Sequence, residues 1–472
     1  MRFASTRDVP IPKDPLAQVI GQIEAVKIAS IAAKQRRNLL LVGPPGIGKS
    51  MLAQAISYHL TLPTEEISVI HNPENPERPF VEMKNQQDAL REKRLSAQAQ
   101  GKLVHPKDVP SFVAERLGFR CRRCGKMSKA GERSCPSCGL DKYTSTFGNT
   151  ILSEYLQDAR PQSRVHTTRL LDDGREEVIV YERKLEQIRV LDQRALEKID
   201  LMKRKKPRKV IVPFSRKSFI IATGASETEL LGDVRHDPYG SHPQIGSLPY
   251  TRVVPGAVHE AHEGVLFVDE LSSLGRLQRF LLTAMQDRRY PIAGRKQSST
   301  GSSVRVDNVP SDFLLVAAVN FNDVQGILAP LRSRILGNGY EILMNTHMPD
   351  SDDNRLKLVQ FLAQEIVRDG RIPHADSGAI KEMIAFAQKK AKEIDGESGI
   401  TLRLRILSGT IKMAGDIASS DGRKYISADD VKFAIVNSRT IEEQATEKYG
   451  SMYKASQLDF GFKKEKGGTE IG

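Results

Sequence analysis

The sequence predicts an α/β fold with a parallel sheet, a basic insert within the sheet region and a helical domain after it. Three observations support this prediction: short apolar strands, a Gly-rich turn between a strand and a helix, and a change to helical periodicity late in the chain. The 472 residues, 39% hydrophobic and 27% charged, suffice for two or three domains with substantial cores. This composition excludes collagen-like, mucin-like and wholly disordered chains.

The first element of the predicted core is the apolar strand Asn38–Val42, which leads into a turn rich in Gly and Pro. The residues after the turn, Ser50–Ile56, have the apolar spacing of a helix. Strand, loop and helix in this order are typical of α/β proteins. Three further apolar segments are predicted as buried strands of the same parallel sheet, namely Ser218–Thr223, Val265–Val268 and Phe313–Val319.

The helical domain begins at about Glu341, where apolar residues start to recur at intervals of three and four. Ser427 precedes the last of these patterns and is a residue type that caps helix N-termini. The two parts of the core are predicted at 1–83 and 209–340, and the insert between them at 84–208. Within the insert, a cysteine-rich module is predicted at about 118–143. A helical lid is predicted at 341–446 and a flexible tail at 447–472.

Positive charge is concentrated in one part of the chain. The formal net charge is +13, and residues 84–217 hold 31 Lys and Arg against 17 Asp and Glu, a net charge of +14. Such a basic segment favours acidic partners. The N-terminal residues lack the apolar run of a secretory signal, and no uncharged apolar run approaches the roughly 18 to 20 residues of a bilayer-spanning helix. We therefore expect a cytoplasmic protein without membrane insertion.

The turn from Gly43 to Ser50 has the residue types of a phosphate-binding loop. Its glycines allow a tight turn that points backbone amides at phosphate oxygens, Lys49 supplies positive charge, and Ser50 supplies a hydroxyl for Mg²⁺. The alternative, a Gly-rich turn with an incidental lysine, is disfavoured by the flanking strand and helix. The predicted nucleotide-binding residues of this loop are Gly43, Pro44, Pro45, Gly46, Ile47, Gly48, Lys49 and Ser50.

Two carboxylates, Asp269 and Glu270, follow the apolar strand Val265–Val268. ATP hydrolysis requires such a pair: Asp269 is predicted to orient the shell of Mg²⁺, and Glu270 to polarise the attacking water. A strand that ends in a solvated acidic turn is the alternative. Together with the phosphate-binding loop, the pair predicts a site that hydrolyses ATP.

All four cysteines lie in two C-x-x-C pairs, each followed by glycine and separated by ten residues. Four thiolates suit tetrahedral Zn²⁺, and the glycines let backbone amides approach sulfur, so the segment is predicted to be a zinc ribbon. Iron in place of zinc is the alternative. We expect a structural metal, because four thiolates leave no open position for a reacting water. The predicted ligands are Cys121, Cys124, Cys135 and Cys138.

The order of the motifs resembles that of the AAA+ ATPases. More closely, residues 5 to about 83 and 180 to about 446 resemble the ATPase half of the archaeal membrane-type Lon (LonB) proteases. The segments that carry this resemblance include IPKDPLAQVIGQ, HNPENPERP, ATGASETELLGDVRHDPYG and TIEEQ. The resemblance implies a Mg²⁺-dependent ATPase that assembles as a homo-oligomeric ring, which we expect to be a hexamer.

The same resemblance implies roles for residues around the nucleotide. Val19 and Ile20 would contact adenine. Asn320 resembles sensor 1, which with Glu270 would position the lytic water; a strand-end Asn that makes local hydrogen bonds is the alternative.

Two arginines are implied to act at a distance from the loop. Arg334 resembles the arginine finger that reaches the γ-phosphate in a neighbouring copy, with Arg332 as the competing candidate. Arg403 resembles sensor 2 of the lid, with Arg405 as the competing candidate. The alternative without a functional role is that these arginines lie on a solvated helix face.

Two loops resemble elements that face substrate in related AAA+ rings. In the first, Tyr239, Ile245 and Tyr250 would grip a threaded polymer, unless the loop is simply packed on the surface. The second resembles the hairpin that precedes sensor 1; in it, Arg295 and Lys296 would touch substrate, unless they only form a solvated tip.

The chain departs from the LonB pattern at two places. A basic zinc module stands where LonB proteins carry membrane helices, and the sequence ends shortly after the point where the linker to the proteolytic domain would begin. We therefore expect no peptidase activity, with a separate peptidase as a candidate partner. The basic module suits nucleic-acid phosphates or a protein partner equally well. The sequence thus predicts a Lon-like remodeller of protein clients, with a nucleic-acid-dependent motor or a nucleotide-gated scaffold as alternatives.

Overall fold

The structure is a computed structural model, and it describes residues 4–142, 162–170, 176–203, 206–237, 246–294, 304–439 and 441–450. The chain divides into two compact units. The first comprises residues 1–63, 75–81 and 211–472, and the second comprises residues 64–74 and 82–210.

The strands, in chain order, are β1 (Asn38–Val42), β2 (Glu65–Ile70), β3 (Phe80–Asn85), β4 (Lys102–Val104), β5 (Arg164–Leu170), β6 (Glu176–Lys184), β7 (Gln187–Leu191), β8 (Arg208–Val212), β9 (Phe219–Ile221), β10 (Asp233–Val234), β11 (Val253–Val254), β12 (Val265–Asp269), β13 (Ile292–Ala293), β14 (Arg305–Val306), β15 (Leu314–Val319), β16 (Gly339–Leu343), β17 (His347–Met348), β18 (His374–Ala375), β19 (Ile400–Thr401) and β20 (Tyr425–Ile426).

The α-helices, in chain order, are α1 (Pro15–Gln18), α2 (Ile23–Gln35), α3 (Lys49–Ser57), α4 (Gln86–Ala99), α5 (Ser111–Arg116), α6 (Gln193–Lys203), α7 (Glu227–Leu231), α8 (Pro249–Arg252), α9 (Ala257–Glu260), α10 (Gln278–Asp287), α11 (Ala329–Gly337), α12 (Asp352–Asp369), α13 (Ser377–Lys390), α14 (Leu404–Ser420), α15 (Ala428–Asn437) and α16 (Ile441–Tyr449).

A five-stranded sheet in the order β16-β1-β15-β12-β9 forms the core of the first unit, and every neighbouring pair in it is parallel. Both faces of the sheet are covered, because alternate residues of one strand enter different apolar clusters. Leu40 lies in the cluster on one face, whereas Leu39 and Leu41 lie in the cluster on the other. The predicted α/β fold with a parallel sheet is thereby confirmed, although the predicted strand Ser218–Thr223 is shorter, spanning Phe219–Ile221.

The lid is built mainly from the helices α12, α13, α14 and α15, whose apolar faces share one core. Ser427 caps α15 as predicted: its side chain accepts a hydrogen bond from the N–H of Asp430, whose carboxylate accepts in return from the N–H of Ser427. The helix α16 runs to Tyr449, into the segment predicted as a tail, and residues 451–472 lie outside the described part.

The second unit contains a four-stranded antiparallel sheet in the order β4-β7-β6-β5. No strand order is evident for this segment from the sequence, because the strands are polar on their open face. In β5, for example, Val165 is 1% exposed, whereas its neighbours in the strand are exposed or half-buried. Val165 packs with Phe119 of the cysteine-rich module and Ile179 of β6, so the module and the sheet share one apolar core.

Within the described residues, no helix combines the length and the apolar character needed to cross a membrane.

Candidate functional site

The predicted phosphate-binding loop joins β1 to α3, which begins at Lys49. Gly46 and Gly48 adopt φ values of +82° and +95°, a left-handed conformation that residues with a Cβ rarely adopt. A Cβ at Gly46 would also come within 3.0 Å of the Cβ of Arg405. Ile47 is 1% exposed and packs into the core of the sheet, which anchors the loop. The loop therefore has the tight backbone that its glycines predict.

Lys49 is buried at the carboxyl ends of the strands. Burial lowers its pKa from the ordinary value, and the charges of three nearby carboxylates, those of Asp269, Glu270 and Asp323, oppose that shift. Its Nζ donates to the carbonyl oxygens of Gly43 (2.5 Å), Pro44 (3.2 Å) and Val319 (3.4 Å) and to Oδ1 of Asn320 (3.0 Å).

The predicted carboxylate pair lies at the end of β12, where Asp269 is the last residue of the strand. The N–H of Asp269 donates to Oγ1 of Thr223 at 3.0 Å. Glu270 adopts a φ of +55°, which is uncommon for a residue other than glycine. Its carbonyl oxygen accepts from the N–H (2.8 Å) and the hydroxyl (2.7 Å) of Ser273. Unfavourable backbone conformations of this kind concentrate at functional sites.

Asn320 follows β15, and its side chain makes polar contacts with two other side chains. Its Oδ1 accepts from Lys49, and its Nδ2 donates to Asp323 at 3.2 Å. Since β15 lies between β1 and β12, the lysine, the carboxylate pair and Asn320 emerge from three adjacent strands at one edge of the sheet.

These groups line a cleft of about 340 Å³ between the sheet edge and the lid. The core side presents an ammonium group and two carboxylates, and the lid side presents two guanidinium groups and a carboxylate. The lining residues are Pro45, Gly46, Gly48, Lys49, Ser50, Met51, Asp269, Glu270, Asn320, Phe361, Glu365, Arg368, Leu404, Arg405 and Ser408.

The two candidates for the arginine finger have different surroundings on α11. Arg332 donates two hydrogen bonds to Glu341, at 2.6 and 2.8 Å, and this pairing raises the pKa of Arg332. Arg334 is exposed and has no ion pair among the described residues. Of the two candidates, Arg332 is therefore the one held by an acidic side chain of its own chain.

The two candidates for sensor 2 lie in different places. Arg403 pairs with the buried carboxylate of Asp395 at 2.8 Å and does not line the cleft. Arg405 lines the cleft, and its N–H donates to the carbonyl oxygen of Gly46 at 3.2 Å. Of the two arginines, Arg405 is therefore the one that lies at the cleft.

Other predicted contacts lie away from the cleft or outside the described part. Ile20 is 2% exposed within the core of the lid, and Val19 packs beside the core of the sheet, so neither lines the cleft. Tyr250 is buried, which assigns it to packing rather than to a direct grip on a polymer. The remaining predicted substrate contacts lie outside the described residues, namely Tyr239, Ile245, Arg295 and Lys296.

Three lid residues at the cleft have no sequence motif that would single them out: Glu365, Arg368 and Ser408. Glu365 and Arg368 lie three residues apart on α12, a spacing that places two side chains on one face of a helix. That spacing is common on solvated helices, so it indicates a site only when the fold brings α12 to the nucleotide cleft.

The four predicted metal ligands come together in the second unit. Their Sγ atoms all lie within 4.8 Å of one another, and the Sγ–Sγ distances are 3.8 Å for Cys121–Cys138 and 3.5 Å for Cys124–Cys135. Zn–S bonds of about 2.3 Å in a tetrahedron place sulfur atoms about 3.8 Å apart, so this donor set fits Zn²⁺. Backbone N–H groups, that of Cys138 first, lower the pKa of Cys135 to about 6 and favour its thiolate form.

A buried lysine supports the cysteine cluster. Lys142 is 1% exposed, and its Nζ donates to the carbonyl of Lys129 (2.7 Å), the hydroxyl of Ser128 (2.8 Å) and the carbonyl of Gly118 (3.2 Å). Burial lowers the pKa of Lys142, and the charges of nearby groups, including Cys135, oppose the shift. Its positive charge therefore lies close enough to interact with the sulfur atoms of Cys135 and Cys121.

Comparison with known proteins identifies relatives along almost the whole chain. The family described as magnesium chelatase, subunit ChlI, matches residues 15–89 and 236–329. A Lon protease homolog of Methanothermobacter thermautotrophicus is 54% identical, over 96% of this chain and 93% of that protein. A Lon protease homolog of Thermoplasma acidophilum is 52% identical, over 97% and 96% of the two chains.

The archaeal Lon protease of Thermococcus kodakarensis is 38% identical over 97% of this chain, which aligns with 64% of that protein. The similarity of this chain to the archaeal Lon protease and to the Lon protease homologs confirms the resemblance to Lon proteases inferred from the sequence. The chain therefore belongs to the family of the Lon protease homologs and carries an AAA+ ATPase module.

Proposed function

We propose that the protein is a Mg²⁺-dependent ATP hydrolase that works as a hexameric ring. Its proposed role is to remodel, unfold or translocate a macromolecular client in the cytoplasm. The observation that carries this proposal is the convergence of Lys49, Asp269, Glu270 and Asn320 on one cleft beneath the lid. Family membership supports the same activity.

The proposed roles follow from the chemistry of each group. The loop amides and Lys49 bind the phosphates, because both present donors to anionic oxygens. Ser50 and Asp269 are the residues that would hold Mg²⁺, which supplies charge neutralisation for the leaving phosphate. Glu270 accepts the proton of the attacking water, and Asn320 holds that water in line.

The site is completed by a second copy of the chain. Arg334, exposed and free of an ion pair among the described residues, would stabilise the charge that develops on the γ-phosphate bound to its neighbour. A contact made in trans of this kind requires a ring or another repeating assembly.

The cysteine cluster is proposed as a structural Zn²⁺ site, with iron as the alternative metal. Four thiols at tetrahedral spacing support it. The proposed role of this module is to recruit a client.

A protein client is favoured by the family, and a nucleic-acid client is the second candidate. The observation in favour of nucleic acid is a group of exposed cations on the first cysteine knuckle that form no ion pairs among the described residues. This group consists of Arg122, Arg123, Lys126 and Lys129.

The test of the proposed activity is the Glu270→Gln variant. We expect it to bind ATP with an affinity close to that of the wild type, and its turnover to fall by at least about 100-fold, because the amide cannot accept a proton. Equilibrium binding and steady-state phosphate release measure the two quantities. Unchanged turnover would rule out Glu270 as the base.

The client is tested by stimulation of ATP turnover. Unfolded protein, single-stranded DNA and RNA, each added across a salt series, distinguish the two candidates, since stimulation that depends on phosphate contacts weakens steeply with salt. Cleavage of the unfolded protein in the same assay, with no other protease present, would contradict the expectation that peptidase activity is lacking.

A further inference from the structure

A buried carboxylate joins two lid helices at the wall of the nucleotide cleft. The side chain of Glu365 on α12 is 6% exposed, and its Oε1 accepts from Nη1 of Arg368 at 2.6 Å. Its Oε2 accepts from Oγ of Ser408 on α14 at 2.5 Å and lies 3.3 Å from Nζ of Lys412. Each oxygen therefore has a donor, which a buried carboxylate requires.

The two helices present these groups on the faces that line the cleft. Glu365 and Arg368 lie three residues apart on α12, and Arg405 and Ser408 lie three residues apart on α14. All four line the cleft that also contains Lys49. Because Arg405 contacts the phosphate-binding loop through its backbone, this part of the lid lies close to the phosphate end of the cleft.

Arg368 and Glu365 differ in what they can offer a ligand. The side chain of Arg368 is 57% exposed, against 6% for Glu365, so the guanidinium lies at the cleft surface and the carboxylate behind it. Among the described residues, Glu365 is the hydrogen-bond partner of Arg368, through Nη1. A guanidinium has five N–H donors, and its planar geometry matches the oxygens of a phosphate.

We propose that Arg368 is a second lid cation that binds a phosphate of the nucleotide, and that Glu365 is the positioning residue that holds the guanidinium in place. This proposal rests on the proposed ATPase function of the same cleft. It adds to Lys49 and Arg405 a third positive group around the phosphates, supplied by α12. Since Ser408 and Lys412 also bind Glu365, the network joins α12 and α14, so both cations would move with the lid as one body.

The test is the affinity of Arg368→Ala for ATP and for AMP, measured by calorimetry with Mg²⁺ present. Loss of a charge-assisted contact to a distal phosphate should weaken ATP binding by about 10-fold or more and leave AMP binding nearly unchanged. The matched control is Arg371→Ala, which removes an exposed arginine paired with Asp369 outside the cleft and should leave both affinities unchanged.

A second variant controls for loss of stability, because Arg368→Ala removes one partner of a buried carboxylate. The double variant Arg368→Ala with Glu365→Gln removes the buried charge as well, and it should show the same selective loss of ATP affinity. For Glu365→Gln alone we expect a smaller fall in the ratio of ATP to AMP affinity; a purely structural role would lower the melting temperature and leave this ratio unchanged.

Equal weakening of ATP and AMP, or no weakening of either in the folded variants, would overturn the role of Arg368. If the wild type binds and hydrolyses ATP normally in that case, only this inference fails. If the wild type itself does not bind ATP, the proposed function fails with it.

Discussion

Arg332 and Arg334 lie two residues apart on α11, and their surroundings differ. Arg332 is bound to Glu341 within the same chain, whereas Arg334 is exposed without an ion pair among the described residues. The sequence LRSRI does not separate them, because both are arginines on one short helix. The distinction depends on the position of Glu341, which β16 brings beside α11.

We predict opposite effects for the two alanine variants. Arg334→Ala should lose most ATP hydrolysis and keep ATP affinity and stability, because its guanidinium acts on a neighbouring site. Arg332→Ala should keep hydrolysis and lose about 0.5–1 kcal/mol of the free energy of unfolding, since its ion pair is partly exposed. Turnover, calorimetry and denaturant unfolding measure these quantities. Normal turnover in Arg334→Ala, with loss in Arg332→Ala, would reverse the assignment.

The Arg332–Glu341 pair also has a defined pH dependence. Hydrogen bonding to Arg332 holds the pKa of Glu341 below its ordinary value in the folded protein. The contribution of this ion pair to the free energy of unfolding is therefore present at neutral pH and is lost as the pH falls through the lowered pKa of Glu341.

Which residue of a motif serves a site depends on contacts that lie far apart in the sequence. The phosphate-binding loop and the carboxylate pair could be predicted because each is a local pattern with its own strand. Arg403 and Arg405 could not be separated, because the choice depends on Asp395, which pairs with Arg403. Glu365 and Arg368 carry no motif, and their place at the cleft follows only from the packing of the lid.

At the scale of elements, four of the five strands of the parallel sheet were predicted from the sequence. The edge strand β16 (Gly339–Leu343) was not predicted, because it lies where the helical domain was expected to begin, and neither were the antiparallel strands of the second unit. Strands such as β15 are buried on both faces and form continuous apolar runs, as the fully buried residues Leu314–Val319 show. The strands β5 and β7 of the second unit alternate imperfectly between buried and polar positions. Their pairing with β6 becomes visible only in the structure.

The cysteine-rich module is an element whose folding we expect to depend on metal. Its two knuckles repeat one arrangement: the N–H of Gly125 donates to the carbonyl of Cys121 at 2.9 Å, and that of Gly139 to Cys135 at 2.8 Å. We predict one metal ion per chain, and loss of order in the second unit when a strong chelator removes it.

Elemental analysis and limited proteolysis before and after chelation test this prediction. Cys138→Ser is the matched variant, which should bind metal more weakly and become sensitive to protease without a chelator. Purified folded protein that lacks metal and resists protease would contradict a structural role for the cluster.

At the scale of the whole molecule, the proposed active site belongs to two copies of the chain. One copy supplies Lys49, Asp269, Glu270 and Asn320 at the edge of its sheet, and a neighbour supplies Arg334. An isolated chain would bind ATP and hydrolyse it slowly, so turnover per chain should rise with protein concentration as the assembly forms.

The most direct test of this shared site is to mix two inactive variants, Glu270→Gln and Arg334→Ala, and measure ATP turnover after subunit exchange. An Arg334→Ala subunit retains its base and would receive an intact arginine from a Glu270→Gln neighbour. An equal mixture should therefore recover about a quarter of wild-type turnover, since about one contact in four joins the two intact groups. Exchanged mixtures that stay as inactive as the separate variants would contradict a site completed by the adjacent copy.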